Sequence, residues 1–527
     1  MTADFVVAPL VVAIATAVLA LPTRHWPRLQ VGISLLGAVV YAAAVAWLVV
    51  RVFPSTAVTY QLGDWPAPFG ITLVADPLSV FMLALTAAVA VPTLVYGVRA
   101  IDDHGQRLSF HALYHFMLVG VTGAFLTGDL FNLFVWFEVM LMASYVLVVF
   151  ESDTAATGAA FVYLVLNLVG SAVMLLAVGG IYAVTGTLNM ADVARRLAHA
   201  QAWGIDPAPV VGLAVLLFAV FALKAGLAPF QFWVPPAYEA APTPVTAMLA
   251  GVVKKVGVYA MIRLYFTVVA PASVPLGLGF GEGAAAFVAP VLLVMAAASI
   301  GVGAVGAIDG DTFEELLAYS SVSQIGFIVL PIAVGAAVPS VRVLAVAAAL
   351  VYALNHALAK SALFLVAGTI QEATGTTRFD DLGGLSGATP VVATAFFVAA
   401  LALVGIPPLS GFFGKVLVFD VAVQAGADPA LAVALGGAVL TVAYLSRAWT
   451  RGFWGPSTAA TRAASPDRVL LGTAVVLVAG VVLVGVGFDP VYRAATDAAT
   501  AAVDPQGYVE AVLGPDAWTV TPGGAGP

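Results

Sequence analysis

A chain of 527 residues, 62% hydrophobic and only 9% charged, with a mean hydropathy of +1.05, lies outside the soluble range of about 25% charged residues. The pattern is that of an all-α integral membrane protein that crosses the cell membrane many times, with the lipid bilayer as its solvent. A net charge of −8 leaves no basic footprint for nucleic acid, and the absence of cysteine excludes disulfides, thiolate-bound metals and cysteine nucleophiles.

A spanning helix needs about 20 mainly apolar residues. That rule marks fourteen segments, at about 4–21, 30–52, 77–98, 110–127, 130–150, 159–184, 209–233, 243–266, 286–308, 315–337, 341–369, 389–424, 430–453 and 469–488. The opening MTADFVVAPLVVAIATAVLALPTR has no positive n-region, so it is expected to stay as the first helix rather than be cleaved. Segment seven carries FALKAGLAPFQFWVPP and segment twelve LALVGIPPLSGFFGK, with Gly and Pro where a continuous helix would lose backbone bonds, so both are expected to be broken helices.

The two interruptions lie five segments apart. This spacing predicts three N-terminal helices (1–105) and then two copies of a five-helix unit (106–270 and 280–455). The second copy is inverted, because an odd number of crossings reverses direction. One more helix (465–490) and a tail (491–527), expected to be a short surface helix and a disordered end, complete the chain. Proline kinks are ordinary in membrane helices, but a matched pair, each with a lysine five to eight residues from a proline, favours paired breaks along an ion or substrate route.

Orientation follows from arginine bias. With both termini on the outer face, Arg24, Arg28, Arg99, Arg107, Arg378, Arg447, Arg451, Arg462 and Arg468 lie inside. Arg51, Arg195, Arg196, Arg342 and Arg493 lie outside, and Arg263 falls near a boundary; Arg195 and Arg196 work against the rule.

All five lysines, Lys224, Lys254, Lys255, Lys360 and Lys415, sit inside the apolar stretches, while the arginines lie mostly at segment ends. A lysine at a helix centre in lipid costs roughly 2.5–3.5 kcal/mol, so five unpaired and unhydrated ones would cost on the order of 12–18 kcal/mol. Such groups face a bundle interior or a water-filled route, and lysine, unlike arginine, changes protonation readily. Glu138 is the only carboxylate deep in segment five, between Asp129 and Glu151 at its ends. Pairing it with Lys224 keeps both charged: separating the two would move a proton, while a static pair would only lock two helices together.

Lys254 and Lys255 are adjacent, about 100° apart on a helix, and cannot face one conduit together. His356 precedes Lys360 by one turn, a spacing that favours a proton relay over a lone structural histidine. Ser320, Ser321, Ser323 and Gln324 in LLAYSSVSQIGFIVL can hold water or pin helices. Lys415 follows the second break, with Asp420 five residues on, and could form the outer end of the route.

GVGAVG at 301–306 lies in an apolar segment without a preceding strand, so it reads as helix packing rather than a dinucleotide site. His104, His111 and His115 lack partner ligands at metal spacing, so no metal or other cofactor is expected. No Walker, iron–sulfur or haem pattern is present, and energy must come from an ion gradient or a partner.

The stretches KAGLAPFQFWVPPAYEAAPTPVTAMLAGVVKKVGVYAMIR, LLAYSSVSQIGFI and GIPPLSGFFGK resemble the antiporter-like subunits shared by respiratory complex I, membrane-bound hydrogenases and Mrp-type Na+/H+ antiporters. The resemblance runs from about Asp76 to Trp454, and FNLFVWFEVMLMASYVLV with the chain length looks most like the D-type member of the Mrp antiporters. It implies fourteen helices with helices seven and twelve broken. It also implies Glu138 as the helix-five carboxylate, Lys224 as its partner, and Lys255, His356, Lys360 and Lys415 as successive members of a proton path, with Lys254 an extra. Many relatives read PFHFW where this chain reads PFQFW, so Gln231 cannot titrate there; a hydrogen-bonding role that glutamine shares is expected.

The expected function is therefore an ion-translocating subunit of a multisubunit Na+/proton antiporter, a transporter rather than an enzyme, working beside other membrane subunits. The alternatives are a proton-pumping subunit of an NADH-quinone oxidoreductase or hydrogenase, with redox centres on other chains, and a structural membrane subunit without transport.

Overall fold

In lipid a backbone N–H or C=O without a partner is too costly to leave open, so apolar runs of this length close their own hydrogen bonds as helices. The computed structural model, which describes residues 3–53, 57–150, 154–272 and 284–519, has a helix at each expected segment. α1 is Ala8–Ala20, α2 Pro27–Val52, α3 Pro77–Ala100, α4 Phe110–Leu126, α5 Leu130–Val148 and α6 Thr154–Thr185. α7 begins as Ala208–Ala225 and resumes as a second limb, Val234–Ala240. α8 runs over Thr243–Val269, α9 over Ala284–Asp309, α10 over Phe313–Ala337 and α11 over Arg342–Thr374. α12 has limbs Pro390–Val404 and Ser410–Gln424, and is followed by α13 at Asp428–Ala448 and α14 at Arg468–Val486. Among the described residues, eleven helices are long and apolar enough to cross a membrane; α1, α4 and the first limb of α12 are apolar but shorter.

Both expected breaks are present, and both are made the same way. The first limb of α7 ends at Gly226 (φ +68°) and that of α12 at Gly405 (φ +95°), left-handed positions that an L side chain rarely adopts. Each glycine also allows close packing: a Cβ on Gly226 would sit 2.5 Å from Val234 Cγ2, and one on Gly405 would sit 3.0 Å from Lys415 Cδ.

α8 is wholly enclosed and α10 nearly so, whereas α2 and α13 face mostly outward. α8 is not a plain α-helix, because Leu249–Val253 and Arg263–Val269 are π-helical and flank an α-helical stretch at Lys254–Ile262. Gly303 and Gly306 pack helix on helix: a Cβ on Gly303 would lie 2.3 Å from Ser323 N, so α9 and α10 approach backbone to backbone.

Three features add to or differ from the sequence expectation. A short hairpin, β1 (Val58–Gln61) with β2 (Thr72–Ala75), pairs Val58 with Ala75 through Gln61 with Thr72 between α2 and α3. The tail is not a surface helix. α15 (Phe488–Ala502) packs on α3 and α11 through Ala495, Ala498, Ala499 and Ala502, and α16 (Pro505–Leu513) follows it, packing on Met190–Ala198; small residues on one face let α15 dock closely. The expected disordered end falls in part at 520–527, outside the described residues.

Arg263, expected near a boundary, is 1% exposed and ion-paired at 2.7 Å with Asp76, the N-cap of α3. Arg195 and Arg196, which opposed the charge rule, both grip the buried Asp192 at 2.5 and 3.0 Å from the short helix Met190–Ala198. Their charge is thus partly neutralised where the rule counts it as free.

Candidate functional site

The five lysines are each 0–3% exposed, and among the described residues every ion pair within 4 Å is made by an arginine. The lysines instead meet neutral groups. Lys224, on the last turn of the first limb of α7, donates to Ser171 Oγ of α6 at 3.3 Å, and Ser171 donates to Glu138 Oε1 of α5. The carboxylate and the ammonium are thus joined through a hydroxyl rather than in direct contact, and Lys224 Nζ also lies 4.9 Å from the centre of the Phe137 ring.

The break in α7 leaves its terminal carbonyls without helical partners, and they are met locally. Trp233 Nε1 donates to Leu223 O at 2.8 Å, and Leu227 N donates to Ala222 O at 2.9 Å. Lys224 is therefore free to point at Ser171.

The π turn at Leu249–Val253 widens the α8 ladder immediately before Lys254 and Lys255. Lys255 Nζ donates to Ala250 O inside that turn at 2.5 Å and meets His356 Nδ1 of α11 at 2.6 Å. An amine and an imidazole at this distance form a single-step donor–acceptor pair, so a proton can lie on either nitrogen. One turn along α11, Lys360 donates to Ser320 Oγ and, at 3.2 Å, to Leu317 O of α10. Lys254 turns the other way, lying 3.4 Å from Ser321 Oγ and from Ser321 O. The adjacent lysines do face different sides, as their 100° offset requires, and both reach polar groups.

Beyond α11 the polar contacts continue. Ser410 Oγ, at the start of the second limb of α12, donates to Asn355 Oδ1 at 2.8 Å. Tyr352 donates to Gln324 Oε1, whose amide donates to Tyr444 OH at 2.7 Å and Thr441 Oγ1 at 3.2 Å. Lys415 Nζ donates to Val404 O at 3.0 Å, capping the first limb of its own broken helix, and lies 5.0 Å from the centre of the Phe327 ring. Asp420 accepts from Gln424 and does not pair with Lys415.

The sequence candidates thus fall into three groups: Glu138 with Lys224, then Lys255, His356 and Lys360, then Lys415. Sequence reasoning missed Ser171, Asn355, Tyr352 and Ser410. Asn167 and Ser171, one turn apart in an otherwise apolar α6, were the available signal for the first. Gln231 is 7% exposed, and its Oε1 is buried without a hydrogen bond, so the expected hydrogen-bonding role finds no support at that oxygen. His115 Nε2 meets Ser34 Oγ at 3.0 Å, far along the chain from the lysines.

Residues 127–441 match the model of a family described as NADH:quinone oxidoreductase/Mrp antiporter, TM. The chain is 36% identical over 468 residues to the D-type subunit of the Na(+)/H(+) antiporter of Alkalihalophilus pseudofirmus, covering 89% of this chain and 90% of the relative. It is also 36% identical over 440 residues to the N-type subunit of the NADH-quinone oxidoreductase of Desulforudis audaxviator, covering 81% of this chain and 83% of the relative. A chain in the structure of the Mrp complex from Dietzia sp. DQ12-45-1b is similar, with a TM-score of 0.86, 28% identity and coverage of 97% of this chain and 99% of that one. With its broken helices, its buried lysines and these relatives, the chain belongs to the NADH:quinone oxidoreductase/Mrp antiporter membrane family.

Proposed function

We propose that this chain is an ion-translocating subunit of a multisubunit Na+/proton antiporter in the cell membrane, with both termini on the outer face and other membrane subunits beside it. Protons move along Glu138, Lys224, Lys255, His356, Lys360 and Lys415. One observation carries the reading. Every lysine is buried without a carboxylate in ion-pair range among the described residues, yet each touches a hydroxyl, imidazole or carbonyl. A purely structural charge is built the other way in this same molecule, as the closed Arg263–Asp76 pair is.

Opening and closing the Glu138–Ser171–Lys224 link changes the field on the next lysine, and the change passes toward Lys415. In vesicles holding the whole complex, Lys224→Ala and Glu138→Ala should each lower Na+-dependent proton movement by about a hundredfold or more. Normal exchange in both variants would sink the mechanism.

The similarity to the NADH-quinone oxidoreductase relative supports a second reading, a proton-pumping subunit whose redox centres lie on other chains. Copurification separates the two. Cysteine-rich iron–sulfur subunits in the purified complex would favour the second, and further antiporter-type membrane subunits the first.

A further inference from the structure

Lys254 has no role in the path above, yet it is 0% exposed and carries the same desolvation cost as its neighbours. Its amine lies at the break in α7: a Cβ on Gly226 would sit 3.3 Å from Lys254 Nζ. It also lies 3.4 Å from Ser321 Oγ, and Ser321 is the immediate neighbour of Ser320, which holds Lys360.

Near it is the ring of Tyr238, with its centre 5.8 Å from Lys254 Nζ. Tyr238 forms part of the wall of a cavity of about 440 Å³ between the second limb of α7, the start of α8, the start of α10 and the end of α11. Exposed Glu239 and Gln371 stand in its wall with Glu314, Thr243 and Thr312, whereas Tyr238 and Thr246 in the same wall are 1% and 2% exposed. The Tyr238 hydroxyl is buried without a hydrogen bond of ordinary geometry, although Ser321 faces it. An unsatisfied buried hydroxyl between a polar cavity and a buried amine is costly unless it has a partner in another state.

We infer that Lys254 is the residue through which the buried lysine chain exchanges protons with this cavity, with Tyr238 as the gate between them. The assignment rests on the proton-path reading above and adds to it the place of access. A hydronium ion in the cavity gives up a proton as its O–H bond breaks and an N–H bond forms on the neutral Lys254 amine, leaving water behind. The proton then passes to the Ser321 hydroxyl, which gives up its own proton as it accepts this one, on the stretch of α10 whose neighbouring Ser320 holds the Lys360 amine. Lys255, turned toward His356, carries the lateral step, so the adjacent pair divides access from transmission.

The chain has no cysteine of its own, so a single introduced one reports access cleanly. In the whole complex, Glu239→Cys and Lys254→Cys are treated with a membrane-impermeant cationic methanethiosulfonate from one face at a time, and modification is read on this chain. Expected are rapid labelling of Glu239→Cys and slow labelling of Lys254→Cys, both from the arginine-rich face that bears Arg378 and Arg447. Adding Tyr238→Ala should accelerate the second severalfold. Lys254→Met should lower exchange about a hundredfold with assembly intact.

Labelling of Lys254→Cys equally from both faces, or no acceleration by Tyr238→Ala, overturns the assignment. Parent-like exchange in Lys254→Met while Lys224→Ala is inactive does the same. Sidedness is read without any ion exchange, so an active Lys224→Ala variant sinks the transport reading and leaves the access result standing on its own.

Discussion

The two broken helices solve one problem in opposite ways. Each ends its first limb on a left-handed glycine and leaves a carbonyl facing the gap. In α7 an indole, Trp233, caps Leu223 O, and Lys224 is spared to meet Ser171. In α12 the lysine itself is the cap, with Lys415 donating to Val404 O. The first lysine is thus poised toward a carboxylate through a movable hydroxyl, and the second is tied to its own backbone.

The sharpest way to break the comparison is to remove what spares Lys224. Trp233→Phe leaves Leu223 O with the Gly226 N–H at 3.0 Å as its remaining partner, at a cost of about 1 kcal/mol, and opens its second acceptor position to Lys224. Na+-dependent proton movement should fall toward that of Lys224→Ala, measured in vesicles; parent-like exchange would mean that the cap does not matter.

Ser171→Ala comes next. It cuts the hydroxyl link between Glu138 and Lys224, and exchange should fall while Ser171→Thr restores it; equal loss in both would point to packing instead. The glycines come third. Gly226→Ala and Gly405→Ala share a backbone strain of about 1–2 kcal/mol, but the first also meets Val234 and Lys254 whereas the second meets the flexible Lys415 stem. Thermal unfolding of the complex should show the larger loss for Gly226→Ala.

The smallest effect lies outside the membrane, at the N-cap of α14. There the Arg99 guanidinium, with help from the Leu470 and Val469 amides, holds the Asp467 carboxyl below the usual carboxylate range. A lowered native value stabilises above the unfolded value and is lost as pH falls through the native one. Melting should therefore be flat near neutrality and decline in acid slightly less in Asp467→Asn than in the parent, with added salt reducing the difference.

Much of this was legible in the sequence because the signals are chemical extremes. Lysine in an apolar run, and Gly with Pro inside one, have few alternatives, so the burial of Lys224 and Lys415 and both breaks were legible. Ser171 was not, because one hydroxyl in an apolar helix bonds a backbone carbonyl as readily as it links two charges. The docking of α15 was missed because its contact stripe, Ala495, Ala498, Ala499 and Ala502, is small rather than hydrophobic, and hydropathy weighs it lightly. Lys254 was visible as an anomaly, but its neighbours Tyr238, Gly226 and Ser321 come from other segments that only folding brings together.

The π turns of α8 carry one more consequence. Each is an α turn holding a surplus residue, and Lys254–Ile262 is bounded by one on either side. Its angular setting is therefore fixed by what packs around it rather than by an unbroken ladder of its own. Moving the first surplus residue past Lys254 and Lys255 would swing those two by about 100°, and the lysines would turn together, like the bit of a key held between two loose wards.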